Sequence, residues 1–336
     1  MSSQGHGGRE GRPTRLTPSR VYGPVPSRRL ARSLGVDLVP FKTCPYNCVY
    51  CQLGPTTRHT SERAPFFPVA AVTAEVLERA SASRPDVITL AGSGEPTLFA
   101  GLGDLIEGIK AASDVPVALL TNGALFRDPE VRREAALADF VLPSLDAGDD
   151  AFFQWVNRPV EGLTLDEVTD GLVRFRDAYR GRIWLEVMVL QGYTELPQHL
   201  RAIAARARRI RPDAVQLNTP VRPAVFGFVR SVPEERLASF CNLFEPRAEV
   251  IAEAQGAIEN APFARADAER ILALLSRRPC TLEDVCTGLA TVAPGTLKVL
   301  EALLREGRVS ERLRAGRIFY QVKRHGGSGA ARSTAP

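Results

Sequence analysis

Thr43 to Gly54 reads T-C-P-Y-N-C-V-Y-C-Q-L-G, and its cysteines decide how the rest of the chain is understood. Cys44, Cys48 and Cys51 are spaced C-x3-C-x2-C, with the aromatic Tyr50 just before the last. Three soft thiolates on one short loop can hold three irons of a 4Fe-4S cube. The loop offers no fourth cysteine, so one iron stays open for a small molecule. The competing reading is a zinc knuckle with His59 as fourth ligand. Zinc sites usually pair a C-x2-C unit with a second such unit or an H-x3-H, which fits this triplet poorly. A disulfide fits it less well still.

Working outward, short apolar runs alternate with helical spacing. Leu34 to Val39 reads as the first strand, carrying one acid, Asp37. Val69 to Ala82 follows as a helix, then the strand Val87 to Ala91. Next come helix Leu102 to Ala112, strand Val115 to Leu120, helix Pro129 to Ala138 and strand Phe140 to Leu145. The rhythm continues through helix Leu163 to Tyr179, strand Ile183 to Leu190, helix Leu196 to Ile210 and strand Ala214 to Leu217. A helix near 233–243 and a short strand near 249–252 close it. Such alternation predicts parallel β/α units. Six strand–helix repeats do not close an eight-stranded barrel, so the fold class is α/β, a partial (β/α)6 barrel whose open mouth admits a large substrate.

In β/α barrels the chemistry sits after the strand ends. The cysteine loop follows the first strand and Gly92-Ser93-Gly94-Glu95-Pro96 the second. Asn122 lies after the third, Ser144 and Asp146 after the fourth, and Asn218 after the sixth. Each run alone would pass as a turn. Upstream, Val21 to Arg32 is Pro-rich and basic. Arg28, Arg29 and Arg32 are placed either to meet an anionic group or to cap the bottom of the first strand.

The cysteine spacing with its aromatic resembles the signature of the radical SAM superfamily, and G-S-G-E-P resembles that family's glycine–glutamate motif. The resemblance implies a 4Fe-4S cluster on Cys44, Cys48 and Cys51, with the open iron chelated by S-adenosyl-L-methionine. It implies Tyr50 near the adenine. It places Ser93, Gly94, Glu95 and Pro96 at the methionine end, with Glu95 facing the ammonium and the glycines letting backbone approach. Ser144 and Asp146 fall where relatives bind the ribose, and Asn122 and Asn218 are further cofactor contacts. The implied reaction is reductive cleavage to methionine and a 5′-deoxyadenosyl radical, which abstracts hydrogen from a substrate. An electron donor such as flavodoxin or ferredoxin is the implied partner. The run from Tyr22 to Gly54 also resembles the opening of the wyosine-forming tRNA-modifying branch, over roughly Val21 to Glu253. Two features of that branch are missing. No cysteine precedes Cys44 for a second cluster, and of the four lysines (Lys42, Lys110, Lys298, Lys323) only Lys42 is near the cysteines.

The 336 residues suffice for a barrel and one small extra domain. The expected division is a disordered tail 1–20, the radical SAM barrel 21–255, a second domain 264–324 and a tail 325–336. No long apolar window predicts a membrane span, the polar N-terminus lacks a secretory signal, and scattered Cys241, Cys280 and Cys286 suit a reducing cytoplasm. From Arg265 to Arg324, Lys and Arg number twelve and Asp and Glu seven, an excess equal to the whole chain's formal +5. There, helices at 266–276, 281–289 and 294–305 and a two-stranded wing with a basic turn resemble a winged helix domain. Thr281 is its second helix's N-cap, with Asp284 three residues on. The third helix has few base-reading residues, which argues against sequence-specific DNA binding. Contact with tRNA or another nucleic-acid backbone, docking of a protein substrate, and packing against the barrel stay open for this module. Cys280 and Cys286 read as packed thiols. Two other functions compete with the enzyme: a winged helix regulator whose iron–sulfur cluster senses redox state or iron, and a zinc-containing nucleic-acid adaptor.

Overall fold

In the computed structural model, the described residues are 19–27, 29–224, 226–251, 266–289 and 291–323. The chain folds as an α/β partial barrel around one eight-stranded sheet. Its strands are β1 (Val21–Ser27), β2 (Ala31–Val36), β5 (Val87–Leu90), β6 (Val117–Thr121), β7 (Phe140–Pro143), β8 (Arg182–Met188), β9 (Ala214–Asn218) and β10 (Glu249–Val250), paired in that order. A two-residue pair, β3 (Thr43–Cys44) and β4 (Arg58–His59), lies apart. From β2 to β10 all neighbours are parallel. β1 runs antiparallel to β2 at the edge.

The sheet is buried on both faces, which is why its strands read as near-continuous apolar runs. Ile88, Leu90, Val117, Leu119, Ile183 and Leu217 are fully enclosed. The helices between strands are α1 (Val69–Ser83), α2 (Leu102–Ala112), α3 (Pro129–Ala135), α4 (Asp150–Val156), α5 (Leu165–Ala178), α6 (Pro197–Ile210) and α7 (Glu234–Ala238). In α1, Val72, Val76 and Ala80 recur every four residues and form its buried stripe. A complete capping box, Thr164 with Glu167, starts α5.

The differences from expectation are local. The first parallel strand is Ala31–Val36, not Leu34–Val39, and an extra strand precedes it. Pro24 and Pro26 hide β1 from sequence reading, because proline is confined to edge strands, which is where β1 lies. Asp149 caps α4, a single apolar segment too short to show a period. Arg32 does cap the strand bottom, donating to the carbonyls of Ser83 and Arg84. Arg28 lies outside the described residues, as do the two tails nearly in full.

The C-terminal module holds α8 (Ala268–Leu275), α9 (Leu282–Leu289), α10 (Ala293–Arg305) and the hairpin β11 (Val309–Arg314) with β12 (Arg317–Val322). Thr281 and Asp284 exchange the reciprocal bonds of a cap at the start of α9, at 3.0 and 3.1 Å. The module shares its core with the barrel's edge, since Val25 of β1 packs with Ile271, Leu274, Val285 and Leu300. Arg277 fastens the joint. It lies 3.7 Å from Asp37, sits over the Tyr22 ring and donates to the Ser19 carbonyl at 2.7 Å. Among the described residues no helix is long and apolar enough to cross a membrane.

Candidate active site

The cysteine loop leaves β2 and is laced to the end of α4. Val49 N–H donates to the Val156 carbonyl, Asn47 N–H to the Asn157 carbonyl and Val160 N–H to the Pro45 carbonyl, at 2.8–2.9 Å. The turn after β5 grips it from the other side. Lys42 N–H donates to the Ser93 carbonyl at 2.8 Å and Glu95 N–H to the Thr43 carbonyl at 3.0 Å. The two motifs thus meet at the same end of the strands.

Each thiol has its own nitrogen donor. Lys42 Nζ lies 3.0 Å from Cys51 Sγ, Asn122 Nδ2 3.4 Å from Cys44 Sγ, and Asn157 Nδ2 3.6 Å from Cys48 Sγ. Donors of this kind favour the thiolate and any further negative charge placed on it. Burial pushes the Cys48 thiol up to about 12, with the Asp146 carboxylate adding to the rise. Burial raises Cys44 further, with help from Glu95 and Cys48. Without metal these two thiols hold their protons at neutral pH, so metal binding must displace them.

Among the described residues, no group of three or more His, Cys, Asp or Glu converges to hold a metal ion. His59 is exposed and its Nε2 lies 3.0 Å from the Pro45 carbonyl. The described residues therefore give the zinc knuckle no ligand set. A cube puts each thiolate on a different iron, so its sulfurs stand farther apart than the ligands of one ion. The soft sulfur donors and their N–H partners fit such a cluster.

Several residues expected to face a cofactor tie the loops together. Ser93 is buried, and its N–H and Oγ donate to the two oxygens of Asp37, at 3.1 and 2.8 Å. Gly94 is required by the protein itself, because a Cβ there would stand 2.1 Å from the Thr43 carbonyl oxygen. Glu95 is buried. Its Oε1 accepts from both hydroxyls of Thr97 and Thr121, and its Oε2 from Asn122 N–H. Pro96 opens the next turn and is buried. Asp146 Oδ2 accepts from Tyr50 OH at 2.5 Å and Asn157 Nδ2 at 2.7 Å, and Oδ1 from Met188 N–H at 3.0 Å. Burial pushes the Asp146 carboxyl up to about 6 against the pull of those donors. Ser144 is half-buried, bridging to Glu186 of β8.

In front of this lattice lies a cavity of about 930 Å³. Cys48, Tyr50, Cys51 and Asn218 line one wall. Arg277, Arg278, Asp284, Arg317 and Phe319 of the C-terminal module line the other. Of the expected site residues, Ser93, Gly94, Glu95, Pro96, Asn122, Ser144 and Asp146 stand behind that surface. Asn218 Nδ2 donates to Glu186, which also pairs with Arg29. Sequence reading missed Glu186 and Asn157. The signal for Glu186 was present, as an acid in the middle of the apolar run I-W-L-E-V-M. For Asn157 there was none, because its role depends on where α4 ends.

Comparison with known proteins bears on this geometry. Residues 38–204 match the model of the radical SAM superfamily. A UPF0026 protein of Methanocaldococcus jannaschii is 30% identical over 309 residues, covering 89% of this chain and 95% of that one. A Brachyspira hyodysenteriae protein named GTPase Obg is 33% identical over 312 residues. That match takes in 92% of this chain but spans about half of the relative, 46% of its length. Among solved structures, a radical SAM methyltransferase from Sphaerobacter thermophilus superposes with a TM-score of 0.50 at 18% identity, over 65% of each chain. That likeness is one of fold.

Proposed function

The chain belongs to the radical SAM superfamily and has UPF0026 relatives, and from that premise we propose that it is a radical SAM enzyme. Cys44, Cys48 and Cys51 would hold a 4Fe-4S cluster and leave one iron for S-adenosyl-L-methionine. When bound, this pair supplies one-electron reductive cleavage to methionine and a 5′-deoxyadenosyl radical able to take hydrogen from a substrate C–H bond. The observation that carries the reading is the triplet itself, each thiol with a separate N–H donor and two of the three opening on the cavity.

The chain's own residues would act as follows. Lys42, Asn122 and Asn157 hold the thiolates and offset the charge added on reduction. Asp146 fixes Tyr50 and Asn157 together, so the loop keeps its shape. Glu95 joins the G-S-G-E-P turn to Asn122, and its Oε2, with one donor among the described residues, retains capacity for an ammonium group. The cavity wall screens the reacting atoms from bulk water. The electron would come from an outside donor such as flavodoxin or ferredoxin. A redox or iron sensor would have no use for a substrate-sized cavity beside the thiols, which favours the enzyme. The test is anaerobic reconstitution followed by calorimetry with S-adenosyl-L-methionine. The enzyme binds it only when iron is loaded, and a sensor binds none.

A further inference from the structure

The C-terminal module supplies one wall of the cavity, and that wall is made of arginine. Five guanidinium groups line the space, from Arg29, Arg222, Arg277, Arg278 and Arg317, against the carboxylates of Glu186, Glu283 and Asp284. Two of the five are committed: Arg29 to Glu186, and Arg277 to Asp37, the Tyr22 ring and backbone carbonyls. Arg222 and Arg317 stand 4.0 and 3.9 Å from Asp284 and Glu283. Arg278 differs. Among the described residues no carboxylate lies within salt-bridge distance of it, which sets it apart, and its Nε, like those of Arg222 and Arg277, is buried without a hydrogen-bond partner. Its side chain neighbours the Cys280 thiol.

A buried guanidinium donor without an acceptor is costly, and the group is a planar fork suited to an oxyanion. Cys48 and Cys51 line the same cavity. At about 930 Å³ the space is at the upper end of small-molecule sites. It has room for a cofactor and a second small molecule, whereas a nucleic-acid helix would need a surface. We infer that Arg278, flanked by Arg222, binds the oxyanion of a small carboxylated or phosphorylated substrate and so orients its C–H bond toward the cysteine loop. The inference rests on the radical reading for that last clause alone, since the anion site belongs to the chain's own residues. The module is thus a built-in substrate wall. The latch at Arg277 and the shared core around Val25 hold it in place, and Arg314 donates to the carbonyls of Pro220 and Val229, both at 3.2 Å.

The test is a titration of the full chain, with and without its cluster, at constant ionic strength set by sodium chloride. Inorganic phosphate and malonate are the two probes, and thermal midpoint is the readout. A saturable rise with one probe or both is expected, and the probe that gives it assigns the oxyanion. Arg278→Gln should weaken that probe at least tenfold, while Arg308→Gln, on the module's exposed face, should not. Should Arg278→Gln fail to fold, Arg278→Lys keeps the charge without the fork and should still weaken the probe several-fold. The absence of a saturable rise in the parent chain overturns the inference, as does an equal rise in the Arg278 variants. Tight binding of a short oligoribonucleotide that ignores Arg278 would do the same, pointing to a surface site. None of these readouts involves cofactor cleavage, so the anion site and the radical chemistry stand or fall separately.

Discussion

Tyr50 donates its phenol hydrogen to Asp146 across 2.5 Å, joining the residue beside the last cysteine to the loop after β7. The same Asp146 oxygen takes Asn157 Nδ2, whose amide also reaches Cys48. Removing the carboxylate takes the acceptor from three donors, Tyr50 OH, Asn157 Nδ2 and Met188 N–H. Asp146→Ala should therefore destabilise the metal-free fold by about 2–4 kcal/mol and lower iron content after reconstitution. Tyr50→Phe removes one bond and should lose about 1 kcal/mol with iron retained. Urea unfolding and iron assays distinguish the two.

The same carboxylate gives a pH dependence. Burial lifts its folded pKa to about 6, above the ordinary aspartate value of 3.8. The protonated form is favoured by folding, so the contribution is fully present below pH 4 and is lost as pH rises through 6. Asp146→Asn should flatten the fall in metal-free stability between those pH values relative to the parent chain. Parallel slopes would contradict this.

Metal loading should release protons. Cys48 sits at about 12 and Cys44 is raised further, so both are thiols at neutral pH and must become thiolates to bind iron. Apparent iron affinity should climb with pH between 7 and 9, and loading in weak buffer should acidify it. Loading without proton release would show that the thiols were already ionised.

The donors at the sulfurs make a redox prediction. A positive charge 3.0 Å from Cys51 stabilises the reduced cluster. Lys42→Met should shift the midpoint to more negative potential by roughly tens of millivolts, with Asn122→Ala acting in the same direction. Potentiometric titration followed by electron paramagnetic resonance measures it, and an unchanged midpoint would remove these residues from that role.

Gly94→Ala should be far worse than Gly54→Ala. A Cβ at 94 meets the Thr43 carbonyl oxygen at 2.1 Å, and that backbone cannot move without moving Cys44. At Gly54 (φ +99°) nothing lies within 4 Å, leaving backbone strain of about 1 kcal/mol. Equal stabilities would contradict the account of the turn.

What the sequence made legible was local chemistry and period. The cysteine spacing, the β/α alternation and the position of G-S-G-E-P one unit downstream are all properties of neighbouring residues. What it hid depends on distant ones. Nothing near Ser93 in the sequence shows that Asp37, 56 residues away, takes its hydrogen bonds. Tyr50 and Asp146 are 96 residues apart. The basic excess after Arg265 left nucleic-acid contact, protein docking and packing against the barrel open; which of its arginines line the cavity, Arg277, Arg278 and Arg317, depends on the module sharing a core with Val25 of β1.

The most direct test is product analysis. The anaerobically reconstituted protein, given dithionite and S-adenosyl-L-methionine, should form 5′-deoxyadenosine and methionine, and Cys48→Ala should lose both its iron–sulfur absorbance and this activity. A fully loaded protein that forms no 5′-deoxyadenosine, or a Cys48→Ala variant that retains its cluster, would contradict the account.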